Sequence, residues 1–261
     1  CAVSLKIERW LEWKMVQKAD LVVANTEMLC ESFKKAYGSR LTDRFIRITN
    51  GFDGEFFSSF GHVEKDKVFT IIYTGTLYFG RTPEPVFQAV HELIEEGRID
   101  AHAIRIRLVG QCRFIDGRPI GEMVQKYRLD EIVEVLESVS YSRAIEMVKQ
   151  SHLALLLAPN QPYQIPAKAY DYMGTGTTIL AMAEAGATRD LVHSTRAGAA
   201  FSTSDTDGIK EYIFRSMNQT GGLAQTGKNG ALAEYEVQSI TRCLAQQLDR
   251  LIGVEADNHA A

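Results

Sequence analysis

The residues best suited to chemistry are concentrated in Pro162-Tyr163-Gln164-Ile165-Pro166-Ala167-Lys168-Ala169-Tyr170-Asp171-Tyr172-Met173-Gly174-Thr175-Gly176. A helix is expected to open near Pro166 and to close at Gly174 or Gly176. The first amides of such a helix have no partner within it and point outward, which suits an anion. Lys168 adds a positive charge in the first turn, and Asp171, three residues on, shares its face. One acid and one base so placed can hold a diphosphate and a pair of ribose hydroxyls. They can equally form a surface ion pair worth under ~0.5 kcal/mol.

Two glycines end apolar runs of strand length, Gly75 after Val68 to Thr74 and Gly110 after Ile104 to Val109. Glycine there lets backbone approach a ligand closely, or simply makes a tight turn. Arg81 precedes a helix whose first turn holds Pro83 and Pro85; it either reaches a phosphate near Gly75 or is a solvated surface arginine. Other motifs carry less. Gly222 to Asn229 nearly spells a phosphate loop but lacks the Ser or Thr that would hold magnesium, and no strand precedes it. Asp205-Thr206-Asp207 spells a metal-chelating DxD, yet it directly precedes a helical pattern, where carboxylates cap. No GxGxxG follows a strand. The six histidines are scattered, and Cys1, Cys30, Cys112 and Cys243 show neither disulfide nor zinc spacing, so no metal ligand is nominated and reduced thiols are expected.

Strand-length runs at Leu21 to Ala24, Phe45 to Thr49, Val68 to Thr74, Ile104 to Val109, Ile132 to Leu136, Leu153 to Ala158 and Thr177 to Ala181 alternate with helical patterns such as Val86, Val90, Leu93 and Ile94. That alternation predicts an α/β fold with a mostly parallel sheet and helices on both faces. Residues 1–49 carry nine Lys and Arg against six Asp and Glu, whereas the whole chain of 261 residues has a net charge of −4. A near-neutral surface argues against nucleic acid, which needs a basic face. The longest apolar run is far shorter than a membrane span, and the first residues do not read as a signal peptide. The polar stretch Gly61 to Lys67 is read as a linker. The expected division is 1–60 with the linker, 61–230 as the main domain, and 231–261 as a long amphipathic helix with a tail.

The order Ala19-Asp20-Leu21-Val22-Val23-Ala24-Asn25-Thr26, Ile48-Thr49-Asn50-Gly51-Phe52-Asp53, Tyr73-Thr74-Gly75-Thr76-Leu77, Leu108-Val109-Gly110 and Ile165-Pro166-Ala167-Lys168-Ala169-Tyr170-Asp171-Tyr172-Met173 resembles the retaining GT-B glycosyltransferases of family four. The resemblance runs from about Lys18 to about Ile213. It implies two Rossmann-like domains, of which this chain, beginning at Cys1 without an initiator Met, would hold the end of the acceptor domain and the whole donor domain. It implies a sugar transfer from a nucleotide-sugar to a glycan or lipid-linked acceptor, with no cofactor and no required metal. The catalytic groups would lie upstream of Cys1. For the donor it implies Gly75 and Thr76 as close-approach backbone, Arg81 and Lys168 on the diphosphate, Asp171 on the ribose and Val139 beside the base. The family's motif of two glutamates separated by seven residues places its second acid on Asp171 but its first on Tyr163, and Thr76 stands where a basic residue is usual. A catalytically silent nucleotide-sugar-binding module is the rival reading. Trp10 and Trp13, on a basic amphipathic helix, are expected to pack against the rest of the acceptor domain. A cytoplasmic protein is implied, with peripheral contact at the inner membrane face through that domain.

Overall fold

Leu153–Leu157 and Thr178–Met182 are buried at every position, as strands covered on both faces must be. In the computed structural model, which describes residues 2–78, 80–218 and 232–253, they lie inside a sheet. The elements run α1 (Ala2–Lys18), β1 (Val22–Ala24), α2 (Glu27–Tyr37), β2 (Phe45–Arg47), α3 (Gly54–Ser59), β3 (Phe69–Thr74), α4 (Glu84–Glu95), β4 (Ile104–Val109), β5 (Phe114–Ile115), β6 (Arg118–Pro119) and α5 (Ile120–Lys126). There follow β7 (Val133–Leu136), α6 (Tyr141–Gln150), β8 (Leu153–Leu157), α7 (Lys168–Thr175), β9 (Thr178–Met182), α8 (Ala187–Ser194), β10 (Gly198–Phe201), α9 (Thr206–Asn218) and α10 (Val237–Ile252).

The chain forms two compact units, residues 1–51 with 234–261, and residues 52–233. In the smaller unit β1 and β2 pair in parallel, and Val16, Ala24, Cys30 and Phe45 form a small core. Thr26 caps α2 by accepting a hydrogen bond from the Leu29 amide. The apolar side chains of α1 do not gather into the expected amphipathic stripe. Leu5, Ile7, Trp10, Leu11, Trp13 and Met15 spread around the helix and are exposed, with Lys14 over both indoles. Among the described residues no helix is long and apolar enough to cross a membrane.

The larger unit is an α/β structure whose six strands are all parallel, in the order β10-β9-β8-β3-β4-β7. Its core gathers Ile71, Ile106, Leu108, Leu155 and Leu180 from the strands with Val86, Val90 and Leu93 from α4. The chain lays β3, β4 and β7 outward in one direction, then returns with β8 on the other side of β3 and continues to β9 and β10. The reversal between β3 and β8 is a topological switch point, where open parallel sheets leave a crevice at their carboxyl ends. Residues 52–60, placed ahead of the linker by the sequence reading, belong to this unit: α3 buries Phe57, whose ring lies where a side chain on Gly174 of α7 would be.

β10 is absent from the sequence expectation because Gly-Ala-Ala-Phe lacks β-branched residues. Gly198 is required there by proximity: a Cβ would lie 1.9 Å from the Ile179 carbonyl oxygen. Gly198→Ala is expected to cost ~1–3 kcal/mol in chemical denaturation, since β10 is an edge strand that can yield only at the expense of its pairing. A loss under ~0.5 kcal/mol would show that the edge slides freely.

Candidate functional site

Two strand ends meet beside the switch point between β3 and β8. β3 leads into Gly75, whose amide donates to the Val109 carbonyl at 2.8 Å, and β4 leads into Gly110, whose amide donates to the Leu136 carbonyl at 3.0 Å. Gly75 has φ +129° and Gly110 φ +118°, backbone that favours glycine. A Cβ on Gly110 would lie 2.4 Å from the Gly75 carbonyl oxygen, and one on Gly75 would lie 2.4 Å from Lys168 Nζ. The two glycines and the lysine therefore occupy one small space.

Lys168 reaches it from the start of α7. Its Nζ donates to the Thr74 carbonyl at 2.5 Å and sits 4.2 Å from the centroid of the Tyr73 ring. Burial first, and the nearby Arg81 charge second, push Lys168 down to about 8. Arg81 is held by the Tyr78 hydroxyl at 2.8 Å and by Gln161 Oε1 at 3.1 Å, while its Nε is buried without a hydrogen-bond partner. Two cations are thus brought together beside strand-end backbone, and neither forms an ion pair among the described residues. A local positive field with an unspent donor suits a polyanion.

Asp171 does not form the i,i+3 pair that its spacing allows. Its Oδ1 accepts from the Tyr141 hydroxyl at 2.7 Å. Burial raises the carboxyl above its usual range, opposed by the Tyr141 bond and by the Lys168 charge. Tyr172, fully buried, anchors the same helix to β3 by accepting from the Thr74 amide at 3.3 Å.

No family model and no curated relative matches the sequence. Solved structures do. Sucrose-phosphate synthase from Thermosynechococcus elongatus matches with a TM-score of 0.71 at 18% identity, over 94% of this chain and 62% of that one. HepE from Anabaena, solved in complex with UDP, matches with a TM-score of 0.71 at 17% identity, over 90% and 65%. A trehalose-6-phosphate synthase, studied for glycosyl transfer with retention, matches with a TM-score of 0.68 at 10% identity, over 91% and 63%. The fold is that of the GT-B glycosyltransferases. The chain spans a little under two thirds of the length of these GT-B neighbours.

Within this GT-B fold the remaining candidates fall as follows. The Thr76 carbonyl accepts from the Tyr73 hydroxyl at 2.8 Å, which fixes the backbone just beyond Gly75. Val139 is exposed in the turn between β7 and α6, at the carboxyl end of the sheet. Tyr163 is exposed in the loop between β8 and α7. Part of that loop, Asn160 to Pro162, joins Glu184 and Gly186 around a cavity of about 220 Å³. Asp205 caps α9 through the Gly208 amide at 3.0 Å, and Asp207 faces Lys210 at 3.5 Å. Gly222 to Asn229 lies outside the described residues. Sequence reasoning missed Gln161 and Tyr141, the partners of Arg81 and Asp171. Tyr141 stands two residues past Val139 at a helix start, and that position was its one available signal.

Proposed function

We propose that this chain is the donor-binding part of a glycosyltransferase that moves a sugar from a nucleotide-sugar to a glycan or lipid-linked acceptor with retention. The observation that carries the reading is the meeting of Lys168, Arg81 and Gly75 at the switch point of a GT-B fold. Anabaena HepE was solved with UDP, and the trehalose-6-phosphate synthase study concerns retention, which supports both halves of the proposal. Here Lys168 and Arg81 neutralise the leaving diphosphate, a task that electrostatic preorganisation performs without a proton being moved. Gly75 and Thr76 offer close backbone, Asp171 accepts from the ribose hydroxyls, and Val139 borders the base. The acceptor wall and catalytic groups belong to the domain preceding this one, which also makes any contact with the inner membrane face from the cytoplasm. The second reading, a silent binding module, is favoured by Tyr163 standing exposed where an acid would be; donor hydrolysis or transfer by the protein with its acceptor domain separates the two.

Binding is expected to be independent of a divalent cation. Titrating the chain with UDP, GDP, ADP and CDP in a calorimeter should find one that binds, with an affinity within twofold in the presence of a chelator and in Asp207→Ala. Loss of binding on both treatments would move the nucleotide to the Asp205-Thr206-Asp207 turn and overturn the assignment.

A further inference from the structure

Asp171 is one methylene shorter than a glutamate, so the direction of its carboxylate decides which hydroxyls it reaches. That direction is set from another element. Tyr141 opens α6 directly after the cap residue Ser140, whose Oγ accepts from the Arg143 amide at 3.3 Å. The Tyr141 ring stacks on Phe56 of α3, with centroids 5.4 Å apart and planes at 18°. Phe56 is itself wedged edge-on against Phe57 and Phe60, at 5.4 and 5.2 Å. From that seat the phenol donates to Asp171 Oδ1 at 2.7 Å, and among the described residues it is the one hydrogen-bond partner of that side chain. Yet 53% of Tyr141 remains exposed, so the contact is made at the rim of the crevice and not in the core.

An ionised carboxylate offers about four acceptor positions, and one phenol takes one. Oδ2 and the second lone pair of Oδ1 stay available. A neutral donor also fixes the group without cancelling its charge, as a lysine in that place would. Burial first, and Asp171 second, push the Tyr141 phenol far above its ordinary range, so it stays a donor at any working pH.

Building on the function proposed above, we infer that Tyr141 is a positioning residue for ribose recognition: seated on Phe56, it holds Asp171 by one oxygen and leaves the other for the vicinal diol of a nucleoside diphosphate. α3, the first helix of the larger compact unit, thereby becomes part of the nucleotide site.

The test compares wild type, Tyr141→Phe, Phe56→Leu and Asp171→Asn by calorimetry, with whichever of UDP, GDP, ADP and CDP binds tightest and with its 2′,3′-dideoxy form. Thermal unfolding confirms that each variant is folded. Tyr141→Phe keeps the ring stack and deletes only the donor, so the preference for the ribose form should fall about five- to tenfold while the dideoxy affinity is unchanged. Phe56→Leu should lower the preference by a smaller factor, because the donor survives on a looser seat. An unchanged preference in Tyr141→Phe, with the preference lost in Asp171→Asn, would overturn the inference and leave the ribose reading standing. Tighter ribose binding in Tyr141→Phe would also overturn it, since the phenol would then be a competitor. An unchanged preference in Asp171→Asn would overturn the ribose reading and this inference together.

Discussion

Replacing Lys168 with methionine is expected to stabilise the ligand-free protein by ~1–3 kcal/mol and to weaken nucleoside diphosphate binding by ~2–5 kcal/mol. Both effects come from one fact: a partly buried ammonium faces Arg81 and forms no ion pair among the described residues, with the Asp171 charge offsetting only a minor part of the cost. Methionine fills the same volume without a charge to desolvate. The pH dependence follows from the direction of the shift. With Lys168 lowered to about 8 from an ordinary 10.5, the unfolded chain binds more protons than the folded one between those values. Stability therefore rises with pH across that window as the folded lysine gives up its charge. The advantage of Lys168→Met is complete below about pH 8 and fades toward 10.5. Lys65, which burial also lowers to about 8, adds its own rise to both proteins, so the difference between them is the quantity to measure. Affinity runs the other way: a diphosphate favours the charged lysine, so wild-type binding weakens above pH 8 while that of the variant changes little. Denaturant titrations and calorimetry on a pH ladder check both. A variant less stable than wild type at pH 7 would mean that the bond to the Thr74 carbonyl outweighs the cost of the buried charge.

The second large effect separates Gly75 from Gly110. Both need positive φ, so alanine strains each by ~1–3 kcal/mol. At Gly110 the new methyl also meets the Gly75 carbonyl oxygen, which is backbone held by strand pairing and cannot move alone. Gly110→Ala should lose ~2–5 kcal/mol of stability. At Gly75 the methyl meets the end of the flexible Lys168 side chain, which swings away at little cost. Gly75→Ala should be the more stable variant of the two, and yet lose nucleotide affinity at least tenfold because the displaced ammonium no longer lies beside the strand end. Equal stability losses would show that φ strain alone matters; retained affinity in Gly75→Ala would place the diphosphate elsewhere.

The elements were legible because their signals are local. A continuous apolar run such as Leu153–Leu157 marks a doubly covered strand, and Gly176, with φ +71°, closes α7 at a glycine the sequence singled out. Gly198–Phe201 was not legible, because its strand character comes from pairing with β9. The same limit governs the site. Spacing puts Lys168 and Asp171 on one helical face, but it does not say which partner each prefers. Lys168 turns to Thr74, 94 residues away, Asp171 to Tyr141, 30 away, and Arg81 to Gln161, 80 away. Strand order brings those partners close, and strand order is a property of the whole sheet.

The registry between β3 and β8 is short, Ile71 with Leu153 and Ile72 with Ala154, yet it joins the half of the sheet made by residues 69–136 to the half made by 153–201. Gly75 and Arg81 lie on one side of that seam, Lys168 and Asp171 on the other. A loop of about eighty residues must close before the two sides meet, and such non-local closure is what slows folding. Neither half can acquire affinity early, so during refolding nucleotide recognition can appear only once the seam has formed. A ligand that binds across it adds its free energy to the native state alone, tightening the junction that joins the two halves of the sheet.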